Sequence, residues 1–387
     1  MAPSTLDPKT LSAFENAAAG HDGVLSDPTG ALVIKPCTAA EIAFYEAATA
    51  SHPALAAYMP TFMGTLELNK SPEAATLAAA VASASDSPDP SGPSTPAVAP
   101  IPEAAAPASG AGAGDTAATL SLDDVGPMKG KKLSTDTSIV LENVAAGFRK
   151  PNILDLKLGA RLYDDGTAEA KAARLDKVAS ETTSLSLGFR IAGMRVWQGE
   201  GEEARKGSDE NAVFDEASRY KTFNKLYGRV FNAENVVDGF REYFLVPGAG
   251  HSAHTAKPIV ARLLKDVKGV QAALEAEESR MYSASLLFVY EGDAAAAKEA
   301  EKAAEKAELD ALQTATAAGE KGLNEEDDDE VELDGDEEDV PKFAVVKLID
   351  FAHATFRPGQ GQDENALRGI RSVVKILENL DTELAKA

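Results

Sequence analysis

Alternating apolar and polar positions mark the strands of this chain. The run Pro151-Asn152-Ile153-Leu154-Asp155-Leu156-Lys157-Leu158-Gly159 puts Leu154, Leu156 and Leu158 on one side of a strand and Ile153, Asp155 and Lys157 on the other. Short apolar runs predict further strands at 31–35, 138–142, 187–196, 285–290 and 344–349. Helical patterns lie near 168–180, 211–226, 235–244, 258–276 and 364–380. Near the N-terminus, 21–25 and 31–35 flank the turn Ser26-Asp27-Pro28-Thr29-Gly30 and read as a hairpin. Thr38-Ala39-Ala40-Glu41 then reads as a capping box that opens a helix to about Ala50. Strands clustered early with helices interleaved later predict an α+β, two-lobed enzyme.

The pattern lapses twice. No aromatic residue stands between Phe62 and Phe148, and 71–137 is built largely from Ala, Ser, Pro, Gly and Thr, which cannot bury enough apolar surface to offset ordering entropy. The second lapse opens with an Ala/Glu/Lys run at 294–312, which predicts a solvated helix. It then becomes the tract 325–339, where twelve of fifteen residues are acidic and none is basic. The expected organisation is therefore an N-terminal lobe at 1–70, a disordered insertion at 71–137, and the remaining sheet, hinge and C-terminal lobe at 138–293. A helical and acidic disordered insertion at 294–340 and a closing strand and helix at 341–387 complete it.

Composition narrows the function. With 62 acidic against 38 basic residues the net charge is -24, which disfavours nucleic-acid binding by the surface as a whole. A single cysteine, Cys37, excludes an internal disulfide and points to a reducing compartment. No apolar run is long enough to span a bilayer, and the first twenty residues lack a secretory pattern.

Four features point to phosphoryl transfer. Asp155 and Lys157 hold a carboxylate and an ammonium side by side on a rigid strand, suited to accepting a hydroxyl proton beside an anion; the same spacing also fits a surface ion pair on an edge strand. Asp350 ends the strand 344–349 and could offer oxygen to magnesium, or cap a helix. Lys35, at a strand end after a hairpin, could meet nucleotide phosphates or simply snorkel to solvent. Lys171, Arg174 and Lys177, three residues apart, fall within an arc of about 120° on one helix face, where they could grip several phosphates or form a solvated basic face. P-loop, zincin, serine-hydrolase and ordinary protein-kinase motifs are all missing.

Pro151 to Gly159 resembles the Pro-x-x-x-Asp-x-Lys-x-Gly motif of the inositol polyphosphate kinase family. S-L-G-F-R-I-A-G-M (186–194), N-K-L-Y-G-R (224–229), S-L-L-F-V-Y-E-G (285–292) and I-D-F-A-H (349–353) follow in family order, and the compact hairpin is most similar to the fungal multikinases. The resemblance implies a two-lobed ATP-grasping fold, distantly protein-kinase-like, with antiparallel sheets plus helices. It implies ATP and Mg2+ as cofactors, Lys35 on the nucleotide phosphates with Glu46 as its ion-pair partner (Glu41 the lesser alternative), and Glu142 to Val144 as the adenine hinge. Asp155 would accept or orient the attacking hydroxyl, Lys157 would touch substrate or the transferring phosphate, and Asp350 would hold the metal. Lys171, Arg174, Lys177, Arg195 and His353 would bind the inositol phosphate.

The expected activity is phosphorylation of inositol tris- and tetrakisphosphate to the pentakisphosphate by a monomer in nucleus and cytoplasm. An inositol hexakisphosphate kinase is the alternative within the class. A regulatory scaffold contacting basic transcription factors or chromatin through the acidic tract is the alternative outside it.

Overall fold

The computed structural model describes residues 10–14, 23–67, 135, 137–201, 208–321 and 342–387. The stretch predicted to be disordered at 71–137 lies outside these, apart from residues 135 and 137, as does the acidic tract.

In chain order the first lobe contains β1 (Ser12–Ala13), β2 (Leu25–Ser26), β3 (Leu32–Pro36), α1 (Ala39–Ser51), α2 (Pro53–Ala56), β4 (Phe62–Glu67) and β5 (Thr137–Glu142). Its strands form an antiparallel sheet in the order β1-β2-β3-β5-β4. The chain then supplies β6 (Pro151–Leu158), α3 (Glu169–Ser180), α4 (Thr183–Leu187), β7 (Phe189–Trp197), β8 (Ala212–Phe214) and β9 (Tyr220–Phe223). It continues through α5 (Val237–Phe244), α6 (Ala253–Glu275), β10 (Ser279–Met281), β11 (Ser285–Glu291), α7 (Ala294–Lys321), β12 (Ala344–Ile349), β13 (Ala354–Phe356) and α8 (Glu364–Leu384). Six of these strands make the second antiparallel sheet, β12-β11-β6-β7-β9-β8, while β10 and β13 form a small pair.

The leucine side of β6 carries the core. Leu154, Leu156 and Leu158 are fully buried, as are Leu286, Phe288 and Tyr290 of β11 and Leu348 of β12. Against them pack α6, through Ile259, Val260, Leu263, Val267 and Val270, and α8, through Leu367, Ile370, Val373, Leu377 and Leu380. These helical residues recur at spacings of three and four, so each helix presents one apolar stripe to the sheet. Burying a leucine is worth about 1.5–3 kcal/mol, so a whole leucine face makes β6 a rigid rail for the residues on its opposite side. That opposite side faces the other lobe, and α1 bridges the gap: Phe44 stacks on Phe351 and Phe356 at 4.8 and 4.6 Å.

Four predicted elements differ in type or extent. The helix expected at 211–226 is the hairpin β8–β9, because Asp215 accepts the Ala217 N–H and the Ser218 hydroxyl and turns the chain. The strand expected from 187 begins at Phe189, because Thr182 caps a helical turn that ends at Gly188. The final helix extends beyond 380, to Leu384, and the helix expected from Pro258 begins earlier, at Ala253. The hairpin turn at 26–30 forms as expected, with Asp27 accepting from the backbone N–H of Thr29 and Leu32. No helix among the described residues is long and apolar enough to cross a membrane.

Candidate active site

β6 is a central strand, paired on one side with β11 and on the other with β7, so Asp155 and Lys157 are not an edge-strand surface pair. Register places Ile153, Asp155 and Lys157 beside Val289, Leu287 and Ser285 of β11, and these in turn beside Val345, Lys347 and Ile349 of β12. All nine lie on the side of the sheet opposite the leucine core.

Four sequence-distant side chains meet at one end of this face. Asp350 receives Lys35 Nζ at 2.8 Å on Oδ1 and Lys157 Nζ at 2.5 Å on Oδ2. Lys35 also reaches Glu41 Oε1 at 2.9 Å, and the same oxygen accepts the Phe351 N–H at 3.2 Å. Asp350 adopts φ 68°, a left-handed conformation that turns its carboxylate back under the lysines. Burial works against the charge on Lys35, but Asp350 and Glu41 outweigh it and hold the pKa above the ordinary lysine value.

Glu46 is exposed, so the partner of Lys35 is Glu41, one turn earlier, and not Glu46. Thr38 does accept the Glu41 N–H, completing half of the predicted capping box, but the Glu41 carboxylate leaves the helix for Lys35. Likewise, Lys157 pairs with Asp350, while Asp155 is buried at 5% exposure. Next to Asp155 lies Arg190, opposite Lys157 in register and donating to Ser184 Oγ at 3.1 Å. Burial and the neighbouring Arg229 pull the Arg190 pKa down to about 10, with Asp155 opposing them. Arg229 reaches this spot because Gly228 lies so close to the Ile191 carbonyl of β7 that an added Cβ would sit 1.9 Å from the oxygen.

One orphan completes this end. Ser285 is fully buried, and its Oγ has no hydrogen-bond partner among the described residues. It stands opposite both Lys157 and Ile349, one residue before Asp350. A hydroxyl and a carboxylate oxygen so placed fit a hard divalent cation, which takes few protein oxygens and completes its shell with phosphate and water. No group of three or more His, Cys, Asp or Glu side chains that could hold a metal ion exists among the described residues.

At the other end the surface is apolar. Val144, Ala145, Phe148, Ile153 and Val289 form a cluster apart from the main core, with Leu287 and Val345 packed on it. Beside it passes the hinge from β5 to β6. Glu142 turns its side chain away to Thr61 and Lys342; burial opposes its charge, but the Thr61 donors and Lys342 keep its pKa low. Asn143 donates to Gly30 O at 2.6 Å, which puts the 26–30 turn at the hinge, and the Val144 N–H has no partner among the described residues. Residues 15–22, between β1 and β2, lie outside the described residues.

Lys171, Arg174 and Lys177 line an exposed face of α3, as their spacing predicts. The loop before α3 is tied to the Asp350 corner by His353, whose Nδ1 donates to Asp164 Oδ2 at 2.9 Å. His353 therefore lies between the Asp350 corner and the loop that leads into the basic helix. Arg195 does not join it. It pairs with Ile153 at the hinge end and lies over the Tyr220 ring at 3.5 Å, four residues along β6 from Lys157, or roughly 13 Å.

A two-lobed fold with paired lysines on a partly buried aspartate, an apolar seat at a hinge and a basic helix fits a phosphotransferase. The model of the family described as inositol polyphosphate kinase matches residues 138–378. The inositol polyphosphate multikinase of Saccharomyces cerevisiae is 33% identical over 378 residues, covering 94% of this chain and 96% of that one. Human inositol hexakisphosphate kinase 1 is 28% identical over 258 residues, covering 63% of this chain and 53% of that one. Among solved structures, the S. cerevisiae inositol phosphate multikinase in complex with ADP and Mn2+ is similar with a TM-score of 0.56 and 29% identity, covering 90% of this chain and 99% of that one. The chain belongs to the inositol polyphosphate kinase family.

Proposed function

We propose that the protein is an inositol polyphosphate multikinase that uses ATP and Mg2+ to phosphorylate ring hydroxyls of inositol tris- and tetrakisphosphate. The observation that carries this reading is the meeting of Lys35, Glu41, Lys157 and Asp350 in one cluster, with Asp155 beside it and a basic helix opposite. Similarity to the yeast multikinase over nearly the whole chain supports the subtype.

In this scheme the Val144 N–H and the wall of Ile153, Val289 and Leu287 seat the adenine. Lys35 turns from Asp350 to the nucleotide phosphates, freeing the carboxylate; Asp350 and Ser285 would then hold the divalent cation, which neutralises phosphate charge. Asp155 takes the proton of the acceptor hydroxyl while the new P–O bond forms to the γ-phosphorus and the bond to the ADP oxygen breaks. Lys157 neutralises the group in transfer, and Lys171, Arg174, Lys177 and His353 hold the acceptor's other phosphates. Arg190 stands beside Asp155 on the β7 side.

Incubating the full chain with ATP, Mg2+ and each of inositol tris-, tetrakis- and hexakisphosphate, then separating products by charge, tests the proposal. Growth to pentakisphosphate supports it. Turnover of hexakisphosphate alone would assign the chain to the hexakisphosphate kinases.

A further inference from the structure

The last two residues of S-L-L-F-V-Y-E-G have no place in the chemistry above, yet Glu291 is only 2% exposed. Its carboxylate is met by backbone: Oε2 accepts the Arg149 N–H at 2.6 Å, and Oε1 accepts those of Lys150 at 2.9 Å and Asp293 at 3.1 Å. The side chains of Arg149 and Lys150 point elsewhere, to Glu299 at 3.6 Å and over the Trp197 ring at 5.3 Å. The carboxylate therefore holds the chain path at 149–150 whatever side chains stand there.

Gly292 tightens the same contact. Its N–H donates to Lys150 O at 2.8 Å, and a Cβ there would fall 2.6 Å from that oxygen. Its own carbonyl accepts from Nε2 of the fully buried His251 at 3.0 Å. Residues 149–150 end the hinge whose other end is fixed by Asn143 on Ala31 and Gly30. Between these anchors run Val144, Ala145 and Phe148 of the apolar seat.

We propose that Glu291 is a positioning residue for the nucleotide base: by gripping the end of the hinge from behind, it sets where the Val144 N–H meets a purine. This rests on the reading of 142–144 as the adenine hinge. A glutamine would present an amide N–H to one of the backbone donors and loosen the grip, whereas changes to the Arg149 side chain would not.

The test measures ADP binding to the full chain by calorimetry, together with KM for ATP, GTP and inositol trisphosphate. For Glu291→Gln we expect ADP affinity to fall about tenfold, the preference for ATP over GTP to shrink, and kcat and the acceptor KM to stay within about twofold. Arg149→Gln should match wild type. If a folded Glu291→Gln binds ADP within twofold of wild type, or ATP and acceptor KM rise together, the inference is overturned. Should that variant not fold, Glu291→Asp, with its charge one methylene too short, takes its place under the same criteria. Failure of the wild type to bind ADP would instead remove the kinase reading.

Discussion

At its Pro151 end β6 lies against the hinge and an apolar wall, and the groups that shape the site are backbone amides held by Asn143 and Glu291. At the Leu158 end the same strand meets Lys35, Glu41, Asp350 and Arg190, brought from four other segments and held by charge. Both ends rest on one leucine core, so the strand itself does not distinguish them. The contrast shows how the fold divides its work. Recognition of a neutral, flat base needs shape and a few fixed amides, whereas transfer of a charged group needs charges whose partners can be exchanged.

The charged end should break most completely at Asp350. Its carboxylate is shared between two lysines, and Asn tolerates left-handed φ well, so Asp350→Asn should keep the fold while losing the cation's anchor. We expect kcat to fall by about a thousandfold or more, roughly 4 kcal/mol, with a thermal midpoint close to wild type. Activity within about threefold of wild type would remove Asp350 from the metal site.

The next largest effect should fall on the acceptor alone. Lys171, Arg174 and Lys177 are exposed on α3, so each contact is worth about 1 kcal/mol, and the triple alanine variant should raise the inositol trisphosphate KM roughly 150-fold. The ATP KM should stay within about twofold. Parallel rises in both would mean that α3 is not the acceptor side.

Glu41 and Glu46 offer a sharper comparison within one helix. Glu41→Gln removes the buried partner of Lys35 and weakens the acceptor for the Phe351 N–H, a loss of about 2 kcal/mol or roughly thirtyfold in kcat/KM. Glu46→Gln, at an exposed position, should change kcat/KM by less than about twofold. Equal effects would return the ion pair to an open question.

That pair also shows what was legible in the residues. The period-two pattern of 151–158 placed Asp155 and Lys157 opposite the leucines, because alternation is a property of the strand alone. Which charge each one meets depends on strand order, and Lys157 meets Asp350, 193 residues away. The Thr38-Glu41 spacing announced a helix start, but only the tertiary placement of α1 decides that Glu41, buried in its first turn, meets Lys35 while Glu46 is exposed. Arg195 shares the cleft side with Asp155, yet its register with Ile153 carries it to the hinge. The expected helix at 211–226 is a hairpin instead, because Asp215 turns the chain through local bonds that no periodicity encodes. Ser285 and Glu291 lay inside a recognised motif, but an unpaired hydroxyl and a carboxylate aimed at backbone become visible only when three strands are assembled.

The smallest effect should come from the acidic tract. Among the described residues, both ends of β6 are built without the tract: Lys342 pairs with Glu142, and the Phe343 carbonyl receives the Glu291 N–H. The first turns of α7 are anchored by the described body, with Ala296, Ala297 and Ala300 buried and the Asp293 side chain accepting the Ala295 and Ala296 N–H. Replacing 325–339 with a short Gly/Ser bridge should therefore leave kcat/KM for both substrates within about twofold and shift the melting temperature by no more than a few degrees, since shortening a loop by half changes its closure entropy by only about 0.6 kcal/mol. Twelve negative charges would nonetheless be lost, so binding to an immobilised basic peptide should drop sharply while turnover persists. A fall in melting temperature of ten degrees or more would mean that the tract supports the lobe it interrupts, and would tie the acidic segment to the catalytic body of the protein instead of separating them.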